Sequence, residues 1–291
     1  MLPAVPSSPR AARRTFGGEM RRHREERGLS AEEVGAEIGC SGSKISRIET
    51  GDRSANPDDF GRLMELYDIP ETQQGHLEQV FRVGRRRTRE WWHAYGDELS
   101  KNYAEHIALE HEADRIVEYQ QAFIPAMLQT EAYARAVTSV GYAALGPDQI
   151  DTHVEIKMKR QRRIQAADGP LHIDAVITEA ALRFQCGGPT AHLEQLRHLR
   201  DLMTRRPNVN LRVIPFTQGA SGIVTGGYTL FMTDGQETPT AANTEAVAGT
   251  IHIDDALGLR RLSRLSTHLT SAALTAEEST ALITKIEKEL P

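Results

Sequence analysis

The sequence is poor in cysteine, in aromatic residues and in long apolar runs, and each shortage excludes something. Its two cysteines, Cys40 and Cys186, lie far apart in 291 residues and form no CxxC pair. A disulfide-stapled secreted scaffold is therefore excluded, and free thiols in a reducing compartment are expected. No window approaches the ~18 consecutive apolar residues of a membrane helix. The opening MLPAVPSSPRAARR has no apolar stretch of the kind a secretory signal needs. The expectation is a cytoplasmic protein with no membrane association. No GxSxG and no P-loop occurs, and the glycines of GGPT and TGGY read as cap and turn residues.

What is present is ordinary in amount and uneven in placement. Apolar residues make up 39% and charged residues 26% of a length that suits two globular domains. The net charge of -5 argues weakly against a nucleic-acid binder, but its distribution matters more than its sum. Residues 1–90 hold 16 Lys+Arg against 15 Asp+Glu, and the remainder 19 against 25. Positive charge is concentrated in two runs: 10–27 has seven Arg and three Glu, and 82–89 (RVGRRRTR) has five Arg and no acid. A charge run is most simply a solvated face. These two flank a segment shaped for DNA.

Residues 1–14 read as a disordered basic arm able to reach phosphate or minor groove. Phe16 and Met20 then open an amphipathic helix closed by Gly28. Ser30 with Glu33 forms a capping box, Val34 and Ile38 give an inward stripe, and Gly39 ends that helix. Ser41 caps the next helix and Gly51 terminates it. Asn56-Pro57-Asp58-Asp59 starts a fourth, with Phe60, Leu63, Leu66 and Tyr67 facing the core. Four short helices with a tight turn between the second and third have helix-turn-helix geometry, in which the third enters the major groove. On it, Ile45 and Ile48 point inward. Gly42 permits close backbone approach, Arg47 suits guanine O6/N7, Lys44 suits guanine or phosphate, and Ser43 can donate or accept.

The stretch GLSAEEVGAEIGCSGSKISRIETG resembles the repressor-type helix-turn-helix of the XRE family. The resemblance implies that Gly42, Ser43, Lys44 and Arg47 face bases and that Ser30, Ser41 and Arg53 face phosphates. It also implies that Glu49 pairs with Arg24. The domain expected is 15–80, followed by a basic linker over 81–97 whose Trp91-Trp92 pair docks onto the next domain.

From residue 98 onward, helices alternate with strand candidates at 171–178, 209–216, 226–232 and 247–253, and an extended stretch begins near Ile116. A capping box of Thr275 and Glu278 starts the last helix. The fold class expected is a mainly α helix-turn-helix domain followed by a larger α+β domain, 98–291, with an antiparallel or mixed sheet. The segments beginning WWHAYGDELS, and later EAALRFQCGG, LEQLRHLRDL and VNLRVIPF, resemble the C-terminal domain of WhiJ-like, antitoxin-like actinomycete regulators. Ala126 stands where that family's pattern has Gly, and His252-Ile253-Asp254 where it has Tyr-x-Glu. The resemblance implies a transcription regulator often paired with a small acidic partner protein.

Eleven histidines invite a metal hypothesis. His106 and His111 have the wrong spacing for one helical face. His172-x-Asp174 and His252-x-Asp254 are more simply polar strand positions. Glu110, Glu112 and Asp114 read as helix-surface acids, Glu179 as a helix-start acid, Arg160-Gln161-Arg162-Arg163 as a solvated face and Cys186 as a quiet thiol. No catalytic residue, metal or cofactor is expected. The expectation is a homodimeric DNA-binding regulator whose larger domain dimerises and receives a small-molecule or protein signal. An antitoxin-like protein that neutralises a small acidic partner is the alternative.

Overall fold

The computed structural model describes residues 5, 9–86, 90–96, 98–141, 146–224, 226–233, 235–246 and 249–290. The chain divides into two compact units, 1–91 and 92–291.

The first unit is helical: α1 Pro9–Glu26, α2 Ala31–Glu37, α3 Gly42–Glu49, α4 Pro57–Leu66 and α5 Glu71–Gly84. The caps fall where the sequence places them. Ser30 with Glu33 and Asn56 with Asp59 form complete capping boxes, and the Ser41 side chain accepts from the Lys44 amide. Gly28, Gly39 and Gly51 have φ of 66°, 75° and 75°, the left-handed turn that stops a helix. One core gathers Phe16, Met20, Val34, Ile45, Ile48, Leu63 and Leu77. Phe16, Phe60 and Phe81 join it as an aromatic trio, with Phe60 and Phe81 stacked at 4.3 Å.

Three expectations fail in this unit. A fifth helix, α5, closes the domain and packs along α1. The basic arm is ordered from Pro9: Ala12 is fully buried, and Arg13 donates to the Gly84 carbonyl at 3.2 Å. Adjacent alanines favour helix, and burying Ala12 against the core fixes it. The rest of the expected arm, 1–4 and 6–8, lies outside the described residues. The expected linker 81–97 is also partly structured, because Phe81 to Gly84 are the last turn of α5. Its residues 87–89 and 97 lie outside the description.

A 3-10 turn, Trp91–Tyr95, spans the division, and Trp92, the first residue of the second unit, is buried edge-on to His111 at 5.2 Å. Its helices are α6 Lys101–Glu112, α7 Glu131–Gly141, α8 Pro147–Arg160, α9 Glu179–Arg183, α10 Gly188–Arg205, α11 Ala256–Ala272 and α12 Ala276–Glu289. Its strands are β1 Arg115–Gln120, β2 His172–Thr178, β3 Val209–Ile214, β4 Tyr228–Met232, β5 Ala241–Ala246 and β6 Gly249–Ile253. They form one mixed sheet in the order β3-β2-β1-β4-β5-β6. The first three strands are parallel, joined by crossovers that carry α7, α8, α9 and α10; the rest pair antiparallel.

Because strand side chains alternate, the sheet builds two cores. Ile116, Ile173, Ile177, Leu211 and Phe231 pack with Leu196, Leu199 and Ile283 on one face. Tyr119, Val176, Ile214, Tyr228 and Leu230 pack with Leu269 on the other. β5 is the strand that the sequence hides, since AANTEA carries no apolar alternation.

Candidate functional site

The helix-turn-helix is held together by glycines at three close approaches. A Cβ on Gly17 of α1 would stand 2.3 Å from the Ile48 carbonyl oxygen and 2.4 Å from that of Glu49. A Cβ on Gly35 of α2 would lie 2.8 Å from the Cys40 oxygen and the Gly42 nitrogen. The turn 38–41 therefore folds directly onto α2, and α3 lies against α1 backbone to backbone. Gly42 itself approaches Glu32, with 3.0 Å for a Cβ, so helix packing also favours a glycine there.

The core side of α3 buries Ile45 and Ile48, each 1% exposed. At its C-terminal end the Glu49 carboxylate takes a bidentate pair from Arg24, 2.7 Å from Nε and 2.9 Å from Nη2. Arg24 also donates to the Leu29 carbonyl at 2.9 Å, so one guanidinium ties α1, the entry to α2 and the end of α3. Hydrogen bonding to Glu49, and then the charge of that carboxylate, raises the Arg24 pKa further above its ordinary value against the opposing effect of burial.

The candidate contacts do not all point the same way. Ser43, Arg47 and Arg53 are exposed, and Arg47 Nε donates to the Ser43 carbonyl at 3.1 Å, which lays its guanidinium along the outer face of α3. Ser41 and Ser30 are exposed but committed to their caps, with Ser41 Oγ also 3.1 Å from Ser43 Oγ. Lys44 differs from the expectation: its ammonium sits 2.6 Å from Asp59 Oδ1, with side-chain exposures of 17% and 7%. Asp59 also receives the Asn56 amide at 3.1 Å through Oδ2, so one carboxylate caps α4 and fastens α3 to it.

The second unit contains a polar system that sequence reading did not find. Register places Glu118 of β1 beside Thr229 of β4, Thr229 beside Asn243 of β5, and Asn243 beside His252 of β6. This polar row crosses four strands. Against it lie Glu110 of α6 and Arg160 of α8, whose side chains are 3% and 5% exposed and pair at 2.6 and 2.9 Å. Arg160 also donates to Tyr103 Oη at 3.1 Å, and its Nη2 lies 3.1 Å from His106 Nε2. His106 Nδ1 and His252 Nδ1 contact the two ends of the Asn243 amide at 3.0 and 3.1 Å.

Glu110 and Arg160 are thus not the solvated residues expected, and the reason is mutual: each is the partner that makes the other's burial tolerable. Burial alone would push the Glu110 carboxyl up, but the charge and hydrogen bonds of Arg160 override it and hold the group at about 2. Glu118 has no such cation. Burial, and then the charge of Glu245, push it up to about 8, while Gln120 bridges the two acids with bonds of 3.0 and 2.9 Å.

Glu179 joins no part of this row. It pairs with Arg183 within α9 at 2.7 Å and receives the amide of Phe216, just past β3, at 3.0 Å. His172 is exposed at the start of β2, separated from β6 by three strands. Among the described residues no group of three His, Cys, Asp or Glu side chains is arranged to hold a metal ion. No helix of the described residues is long and apolar enough to cross a membrane.

Comparison with known families agrees with this division of the chain. Residues 15–77 match the model described as a helix-turn-helix domain, which supports a DNA-binding regulator. Residues 103–285 match the model described as a domain of unknown function, DUF5753. No curated protein and no solved structure matches the chain. With well over half its length inside that second model, the chain belongs to the DUF5753 family and carries a helix-turn-helix domain ahead of it.

Proposed function

We propose that this protein is a sequence-specific regulator that binds double-stranded DNA as a homodimer, with α3 in the major groove. The observation that carries the proposal is the division of α3 between two faces. Its inner face is bolted to α1, α2 and α4, while Ser43 and Arg47 stand exposed on the outer one. Arg47 is the base reader, because a planar guanidinium can bond guanine O6 and N7 together. Ser43 stands beside it. Arg53, Ser41 and Ser30 face phosphates and set register. Lys44 acts mainly by positioning α3 through Asp59. The second unit dimerises and receives the regulatory signal, so that two heads meet half-sites about one helical turn apart. Exposed Ile251 on the outermost strand, 56% accessible, and Leu257, 51%, support an interface there.

Fluorescence anisotropy of the whole protein on its own upstream DNA tests this. Arg47→Ala should weaken binding to the preferred site by about 5–150-fold, equivalent to about 1–3 kcal/mol. Binding to random DNA should change far less. Equal loss on both would make Arg47 a phosphate contact, and a wild-type protein with no preference for any sequence would refute the regulator reading.

A further inference from the structure

The sheet face that packs under α11 changes character along its length. Toward the C-terminal ends of β1 to β3 it is apolar, formed by Tyr119, Val176 and Ile214. Toward their beginnings the same alternation presents Arg115, Asp174, Asn210 and Arg212. There α11 does not close onto the sheet. A cavity of about 420 Å³ remains between them, within the range of about 300–1,000 Å³ usual for small-molecule sites.

The charges lining this cavity balance in number, Arg115 and Arg212 against Asp174 and Glu237, but both acids pair with Arg115. Asp174 is fully engaged, receiving Arg115 Nε at 2.6 Å and Asn210 Nδ2 at 2.9 Å. Glu237 lies 3.7 Å from Arg115 at the rim and is 92% exposed. Arg212 is left over. Its Nε is buried with no hydrogen-bond partner among the described residues. An anion in the cavity would stand against the Arg212 guanidinium, whose charge neither acid of the lining answers.

The opposite wall has complementary chemistry. Ser263, Thr267 and Ser271 repeat every fourth residue along α11. Their hydroxyls donate to the carbonyls of Leu259, Ser263 and Thr267 at 2.8, 3.1 and 2.9 Å. With their protons committed to the helix, these oxygens have lone pairs left to accept from a guest. Val117, Leu230 and Met232 supply apolar floor between the two polar sides.

We propose that this cavity binds a small hydroxylated monocarboxylate. Its carboxylate meets Arg212, its hydroxyl donates to the α11 oxygens, and its apolar body lies on β1 and β4. Binding follows from the cavity alone; its role as the regulatory signal rests on the regulator reading above.

The test is isothermal calorimetry of the full chain with 4-hydroxyphenylacetate as probe and the uncharged 4-hydroxyphenylacetamide as control. Wild type should bind the acid with a Kd below about 1 mM. The amide should bind at least about tenfold more weakly, as should Arg212→Gln, which loses the charge, and Thr267→Phe, which fills the mouth from an exposed helix position. No binding of the acid up to about 10 mM overturns the proposal, as does unchanged affinity in a folded Arg212→Gln. Anisotropy on DNA without probe separates the two readings. DNA binding without probe binding removes this site alone, whereas probe binding without DNA binding leaves the site and removes its regulatory role.

Discussion

Replacing Glu110 by glutamine keeps the shape of the side chain and removes its charge. Arg160 would then remain 5% exposed with no anion, facing an amide that offers one acceptor and a competing donor. Stranding a buried charge in this way costs about 3–5 kcal/mol. For a unit of this size each kcal/mol lowers the melting temperature by roughly 2–4 °C, so a fall of about 10 °C is expected. Scanning calorimetry of the full chain at pH 7 reads it. Asp151→Asn is the control: it breaks the pair with Arg135, whose members are 47% and 64% exposed, and should cost less than about 1 kcal/mol.

The pH dependence supplies a second readout. The Glu110 pKa is depressed in the fold, to about 2, so its contribution is present above the unfolded carboxyl value of about 4.3 and disappears as pH falls toward 2. Wild type should lose stability more steeply than Glu110→Gln across that interval. Replacing the pair together by Glu110→Leu and Arg160→Met should recover much of the loss, though Tyr103 and His106 forfeit a partner. A Glu110→Gln protein that melts within about 2 °C of wild type would refute the account of Arg160 as a charge that needs its carboxylate.

Two other perturbations test neighbouring claims. Gly17→Ala should destabilise the first unit by about 3 kcal/mol or more, because the new methyl meets two backbone oxygens. Gly18→Ala, with open space around it, should stabilise by about 0.5–1 kcal/mol; equal melting of the two variants would contradict the close approach of α1 and α3. Glu118→Gln addresses an acid whose pKa is raised by burial to about 8. Its stabilising contribution is full below about 4.3 and declines as pH rises to 8. The variant should therefore match wild type near pH 4 and exceed it at pH 8 in denaturant titrations. Parallel pH profiles would show that Glu118 ionises normally.

The head was legible because its signals are local. Ser30, Ser41 and Asn56 each act on an amide three residues away, and Gly28, Gly39 and Gly51 each stop a helix on the spot. Helix α5 lacks that punctuation: Pro70 precedes it without a side-chain cap, and Gly75 interrupts its interior. β5 is specified by its neighbours β4 and β6 rather than by AANTEA. The polar row was hidden for a different reason. Glu110 and Arg160 are fifty residues apart, and nothing in either neighbourhood reveals that the other exists. The Lys44–Asp59 pair is hidden in the same way, since Asp59 reads as a helix-start acid and is also one.

That shared carboxylate affects how the head would be counted electrostatically. A lysine that approaches DNA from solvent displaces a condensed cation, and each such event steepens the dependence of binding on salt. Lys44 already carries an intramolecular counterion in Asp59. Passing its ammonium to a phosphate would leave Asp59 as a new unpaired anion close to the duplex, and the exchange would release little to solution. The salt dependence of binding should therefore record fewer ions than the basic side chains around α3 suggest. Removing Asp59 would make Lys44 count.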